Sequence, residues 1–269
     1  MTRLFGLISN DPHALCCSLA FLADDLELNA TRKGDGWGIG YYQQKQALIH
    51  KHPAVPVGGV DLVSELDRHP SDLVVAHVRS ATMGRPKLEN THPFKYSRFL
   101  FAHMGSIPEL EQYREEHIKT LPDYLARVIR GDTDSELLFV MLLAGIKDVC
   151  GGLEEERLKG SCIRNAVRAV FSDLKQKSPG NNISSAIVLA DGARLVGVSV
   201  GNEKMYYRLV ENVPSCDRCR RRGKPEMLYH VRFITVAVGL EGEPRGWLKL
   251  KPGQILMAER DMGIEIGTL

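Results

Sequence analysis

Four short polar clusters hold the side chains best suited to chemistry: Arg79 with Ser80 and Thr82, Asn90-Thr91-His92-Pro93, His103 to Gly105, and Gly131 to Glu136. They stand at the ends of strand-like runs, and a strand delivers its last side chain to the sheet edge, where sites are commonly built. Taken singly, each reads as a solvated turn, and Thr133-Asp134-Ser135-Glu136 as a helix N-cap with its first-turn acids. Cys216-x-x-Cys219 has metal-ligand spacing, but a structural zinc needs four ligands, and no second such pair or paired-histidine motif exists. Even with His230 as a contributor, the expectation is an exposed, reduced pair in a loop, with no metal site and no cofactor. Arg218, Arg220, Arg221, Arg222 and Lys224 share that segment. Such a run can grip an anion, nucleic acid or an acidic partner, yet without aromatic residues between its charges it reads as a solvated loop. The glycines of Gly34 to Gly38 mimic a phosphate loop, but no helix follows and no Lys-Ser/Thr closes it.

Together, in order, these clusters resemble a known family. Met1-Thr2-Arg3-Leu4-Phe5-Gly6, Gly34-Asp35-Gly36-Trp37-Gly38, His77-Val78-Arg79-Ser80-Ala81-Thr82, Asn90-Thr91-His92-Pro93-Phe94, His103-Met104-Gly105-Ser106-Ile107 and Gly131-Asp132-Thr133-Asp134-Ser135-Glu136 are similar to the class II glutamine amidotransferases, and within them to the small stand-alone branch. The resemblance implies the four-layer αββα sandwich of the N-terminal-nucleophile hydrolases, an α+β fold. It also implies that residue 2, freed by removal of Met1, attacks the side-chain amide of glutamine with its own α-amine as base, and that the acyl-enzyme is then hydrolysed. Arg79 then matches the arginine that binds the substrate carboxylate, and Asp134 the aspartate that holds the substrate α-amine. Thr82 and His92 join the substrate-binding set. The family's Asn-Gly pair supplies the oxyanion hole, the amide side chain giving one donor and the glycine N–H the other.

At the reacting atoms the chain departs from the family. Thr2 stands where the family has its cysteine. A hydroxyl depends wholly on its base, and the branched Cβ restricts χ1. Threonine with a free α-amine is nevertheless a working nucleophile elsewhere in this fold class. Met104 stands where the family has the oxyanion asparagine; a thioether donates nothing, which leaves the Gly105 N–H. Losing one such donor costs about 10²- to 10³-fold in rate. Ala237-Val238-Gly239-Leu240 replaces a Ser-Glu pair that the stand-alone branch tends to carry. The expectation is an amidotransferase-like protein, catalytically impaired, whose pocket holds glutamine or a similar amino acid, or a protein partner. The alternatives are an active amidase or peptidase using Thr2, and an interaction module with a relic site.

The elements that must position these residues follow from periodicity. Alternating or wholly apolar runs predict strands at 3–9, 35–42, 46–52, 73–79, 98–103, 185–190, 194–200, 205–210, 228–238, 254–258 and 263–266. Three- and four-residue spacing predicts helices at 13–23, 121–130, 135–147 and 163–175. Strands, then helices, then strands suit two face-to-face sheets with helices outside. At 269 residues and 43% hydrophobic, with no low-complexity divider, the chain reads as one domain over 1–269. A net charge of +2 gives no global pull toward nucleic acid or an acidic membrane surface. No run approaches a membrane span. Six cysteines without a regular framework read as free thiols in the cytoplasm.

Overall fold

The computed structural model describes residues 3–26, 36–56, 59–79, 87–154, 158–177, 183–242 and 244–269. Its strands are β1 (Arg3–Ser9), β2 (Gly36–Gln43), β3 (Gln46–His52), β4 (Leu73–Arg79), β5 (Phe94–Tyr96), β6 (Phe99–Ser106), β7 (Ser184–Ala190), β8 (Arg194–Val200), β9 (Met205–Pro214), β10 (Met227–Val238), β11 (Leu248–Leu250), β12 (Gln254–Glu259) and β13 (Ile264–Thr268). Its helices are α1 (Leu15–Leu22), α2 (Leu62–Asp67), α3 (Pro108–Gln112), α4 (Arg114–Thr120), α5 (Asp123–Ala126), α6 (Asp134–Cys150), α7 (Gly160–Lys177) and α8 (Asp217–Arg221).

Two sheets form, in the orders β11-β9-β10-β1-β4-β2-β3 and β13-β12-β8-β7-β6-β5, and their ladders are antiparallel. β1 lies at the centre of the first sheet, and all seven of its residues are buried because both faces are covered. Its odd and even positions serve different layers, as a period of two requires. Leu4 and Ile8 join Leu100, Ala102, Val188 and Leu256 between the sheets. Phe5 and Leu7 face outward, where they meet Leu15, Leu19 and Leu22 of α1 and Leu62 and Leu66 of α2. A third core lies under α6 and α7, with Phe101 of β6 stacked on Phe139 of α6 at 5.1 Å between ring centroids. The layering is therefore helix, sheet, sheet, helix, the expected αββα sandwich. Among the described residues, no helix is long and apolar enough to cross a membrane.

Four expectations need correction. The helix over 121–130 shrinks to the single turn α5, and beyond it the N–H groups of Val128 and Ile129 reach back three residues, to the Leu125 and Ala126 carbonyls, in turns that do not continue the α-helix. Segments 62–67, 108–112 and 114–120 fold as helices that were not expected, α2 being capped by Asp61, which accepts from Ser64 N–H at 3.0 Å. Cys150 and Cys162 are not free thiols: α6 ends beside the start of α7, the Cα atoms come to 5.4 Å, and the two sulfurs are bonded. Cys216 and Cys219 are not an exposed loop pair either. Cys219 lies in α8 and is buried, Cys216 is half-buried, and both meet Cys16 and Cys17 of α1.

Candidate functional site

Thr2, Thr82 and the Arg79 side chain lie outside the described residues. The frame around those positions is described. Arg3 pairs with Val78 of β4, and Gly36 of β2 pairs with Arg79, so the start of β1, the end of β4 and the start of β2 share one sheet edge. The segment 90–93 crosses that edge. Gly38 makes the crossing possible, since a Cβ there would stand 2.2 Å from the carbonyl oxygen of His92 and 3.0 Å from Pro93. The buried His92 ring packs between His77 of β4, at 4.4 Å, and Phe94, at 4.6 Å. Lys51 of β3 donates to Thr91 O at 2.6 Å; burial pushes its ammonium pKa down, and Glu136 and Glu89 oppose the shift.

The Asn90 cluster is clasped to the Gly131 cluster. The fully buried Asn90 amide donates to the Asp132 carboxylate at 2.6 Å and accepts from Asp132 N–H at 3.1 Å. Residues 133–136 form the expected N-cap of α6, with Thr133 Oγ1 accepting from Glu136 N–H at 3.2 Å. Glu136 turns its carboxylate back on the preceding loop, where it accepts from Arg130 N–H at 2.9 Å and Gly131 N–H at 2.6 Å. A carboxylate at this end of a helix also answers the positive pole of its dipole. Arg114 of α4 closes the loop from outside, donating to Thr133 O at 2.8 Å and Gly131 O at 2.9 Å. Nothing in the sequence marked Arg114, a single arginine in an otherwise ordinary polar stretch.

The same helix start is tied to the end of β6. Asp134 Oδ2 accepts from Ile107 N–H at 3.1 Å, and Ser135 Oγ donates to Asp134 Oδ1 at 3.2 Å while contacting His103 Nδ1 at 2.8 Å. Burial pushes the His103 pKa down, with the Asp134 charge opposing, so this ring is neutral near pH 7. Burial and the Asp134 charge together raise the pKa of Glu111, which places a second acid in the field of that carboxylate. Gly105 has φ +129°, and a Cβ there would stand 2.1 Å from Ser184 O, so only glycine fits beside β7. Met104, half-buried, packs against the core between the sheets.

The Asn90–Asp132 clasp and the Asp134–Ile107 bond thus tie the segment that carries His92 to the start of α6 and to the end of β6, where Met104 and Gly105 lie. A cleft of about 240 Å³ opens beside it, lined by Lys51, Glu89, Phe94, Arg130, Glu136 and Phe139 among others. Of the described site residues, none of His92, Met104, Gly105 and Asp134 lines that cleft.

The family described as glutamine amidotransferases class-II matches residues 1–213. The probable glutamine amidotransferase DUG3 of Saccharomyces cerevisiae is 30% identical over 147 residues, 52% of this chain and 41% of its own length. YafJ of Escherichia coli, which carries the same family name, is 31% identical over 149 residues, 53% of this chain and 54% of its own. The chain therefore spans about half the length of the curated relatives it matches. Among solved structures, a class-II domain protein from Silicibacter pomeroyi aligns over 99% of this chain and 98% of its own, at TM-score 0.61 and 18% identity. Glutamine phosphoribosylpyrophosphate amidotransferase from Bacillus subtilis aligns over 99% of this chain and 49% of its own, at TM-score 0.58 and 16% identity. Those two likenesses speak to fold alone, and they agree with the αββα layering. With the family match covering residues 1–213 of 269, the chain belongs to the class II glutamine amidotransferases.

Proposed function

We propose that this protein is a single cytoplasmic domain over 1–269 that binds glutamine or a similar free amino acid and has lost most of the family's hydrolytic chemistry. The observation that supports this is an asymmetry. Asp134, which in this reading seats the substrate α-amine, is kept in the sequence and held in place by Ile107 N–H and Ser135. The positions that would act on the amide carry Thr2 and Met104.

In this reading, Arg79 takes the ligand carboxylate through its planar fork. Asp134 takes the α-amine, and Thr82 and His92 complete the pocket wall. At the amide end, Gly105 N–H is left as an oxyanion donor, and Met104 offers no second one. Thr2 without a thiol depends on its α-amine, and the missing donor weakens the same tetrahedral intermediate. Both deficits therefore fall on one step.

Calorimetric or thermal-shift titration with glutamine, glutamate and asparagine tests the binding half of the proposal. Glutamine in millimolar excess raises Tm, and Arg79→Ala abolishes the shift. No shift with any of the three, or one that Arg79→Ala leaves unchanged, overturns the pocket assignment. Intact mass establishes in the same preparation whether Met1 has been removed.

A further inference from the structure

At the far end of the first sheet from the candidate site, α1 and the β9–β10 connection bring together four cysteines that are 199 to 203 residues apart across the two segments. Cys16 and Cys17 lie in the first turn of α1, Cys216 immediately precedes α8, and Cys219 lies within it. All four sulfurs are within 4.8 Å of one another. Cys16, Cys17 and Cys219 are buried and Cys216 is half-buried.

From this we infer that Cys16, Cys17, Cys216 and Cys219 form a structural Zn²⁺ site. The geometry is the first argument. Four sulfurs each about 2.3 Å from a tetrahedral zinc stand about 3.8 Å from one another. Here the Sγ···Sγ separations are 3.9 Å for Cys16–Cys17, 3.3 Å for Cys16–Cys219, 3.7 Å for Cys17–Cys216 and 4.0 Å for Cys16–Cys216. Cys150 and Cys162 pair off as a disulfide elsewhere in this chain, whereas these four gather about a common centre unbonded.

Charge is the second. Binding releases one proton from each thiol, so Zn²⁺ and four thiolates leave a net charge of −2 with no change of oxidation state. The basic run Arg218, Arg220, Arg221, Arg222 and Lys224, which found no role in the family reading, belongs to the same segment as Cys216 and Cys219, and Arg218 feels the Cys16 and Cys216 sulfurs directly. Arg218 also pairs with Asp67, the carboxylate that contacts Cys16, and Arg222 lies 3.9 Å from the same group, so the nearest acid is neutralised. The local fold is in place as well. Cys216 N–H points at Cys17 Sγ at 3.5 Å, and the N–H groups of Arg220, Arg222 and Lys224 close the turn on the Cys216 and Cys219 carbonyls. His230, the histidine that follows the Cys216–Cys219 pair, is engaged instead with Asp11 at 3.2 Å.

Four protein ligands leave no open coordination position, so the ion fastens the tip of the β9–β10 hairpin to α1 and has no part in catalysis. Thiolate ligands favour zinc over hard cations.

The test is metal analysis of the tag-free, full-length chain purified under reducing conditions without chelator. About one zinc per chain is expected, and growth in cobalt should give the visible d–d and thiolate-to-metal bands of tetrahedral sulfur-bound Co²⁺. A strong chelator lowers Tm, and added Zn²⁺ restores it. Cys219→Ser and Cys216→Ser lose the metal, while Cys162→Ser keeps it. If the serine variants fail to fold, the zinc content and Co²⁺ spectrum of the unaltered chain still decide. Zinc below about a tenth of an equivalent, iron in its place, or a peptide map showing disulfides among these four cysteines overturns the inference.

Discussion

Asn90 shows how much a single side chain contributes to the frame. It is buried and meets both the N–H and the carboxylate of Asp132, so truncation to alanine removes two bonds to the partner loop at once and leaves a void where the amide was buried. Asn90→Ala should cost about 2 to 3 kcal/mol in urea denaturation, consistent with an unmade buried bond plus the loss of a charge-assisted one. A change under about 0.5 kcal/mol would mean that water replaces the amide and that the clasp is not structural. Gly105→Ala is a different kind of lesion, because the backbone sits at φ +129° and the added methyl meets Ser184 O. It should cost at least about 2 kcal/mol and broaden the unfolding transition. Residue types alone disclosed neither contact. The motif order marked Asn90 and Gly105, but the reason for each is its neighbour, Asp132 in one case and a β7 carbonyl in the other.

Among the elements, α6 is the one on which the site depends. Its start is held by Thr133, Glu136 and Arg114, and its apolar face by Phe139 and the leucines beneath it. The sequence pattern Thr-x-x-Glu before an apolar run foretold the N-cap correctly. It could not foretell that Glu136 would serve Arg130 and Gly131, because that bond depends on how the preceding loop folds back. Glu136→Ala should destabilise by about 1.5 to 3 kcal/mol, since a charged acceptor of two backbone donors is lost. Thr133→Ala should cost about 1 kcal/mol. Chemical denaturation of the two single variants checks the ranking, and a larger cost for Thr133→Ala would reverse the assignment of which residue holds the loop. Strand positions were legible for a related reason. β1, β4 and β8 coincide with the expected runs because buried strands are almost continuously apolar, and the largely exposed β3 coincides because the polar turn of its hairpin with β2 marks where it starts. The short helices α3 and α4 were not, since five to seven residues give too few turns for a period to show.

For the molecule as a whole, the layering followed from element order, while the meeting of α1 with the β9–β10 connection did not, because no local pattern links residues some 200 apart. Global behaviour with pH also follows from burial. His103 has its pKa pushed below the ordinary value of 6.5, as do His69 and His117, in each case chiefly by desolvation. The unfolded chain therefore takes up protons near pH 6.5 that the native state refuses, and stability falls as pH drops from there toward the lower native values. His103 alone contributes up to about 1.4 kcal/mol per pH unit in that window. His103→Gln should flatten the decline measured by urea midpoints between about pH 7.5 and about pH 5.5; an unchanged slope would show that His103 does not titrate with unfolding.

The central proposal, a pocket kept while its chemistry is lost, is tested most directly by the initial rate of ammonia release from glutamine. Four proteins would be compared, each with Met1 removal confirmed by mass: the natural chain, Thr2→Cys, Met104→Asn and the double variant. The natural chain should show little or no release, and neither single change should suffice, since each still lacks one partner of the same transition state. The double variant should gain more than the product of the single gains, because groups that act as a unit respond non-additively. Turnover by the natural chain at roughly 1 to 10³ per second would contradict the proposal outright. So would a folded, processed double variant that remains inert, since the pocket would then have diverged beyond residues 2 and 104.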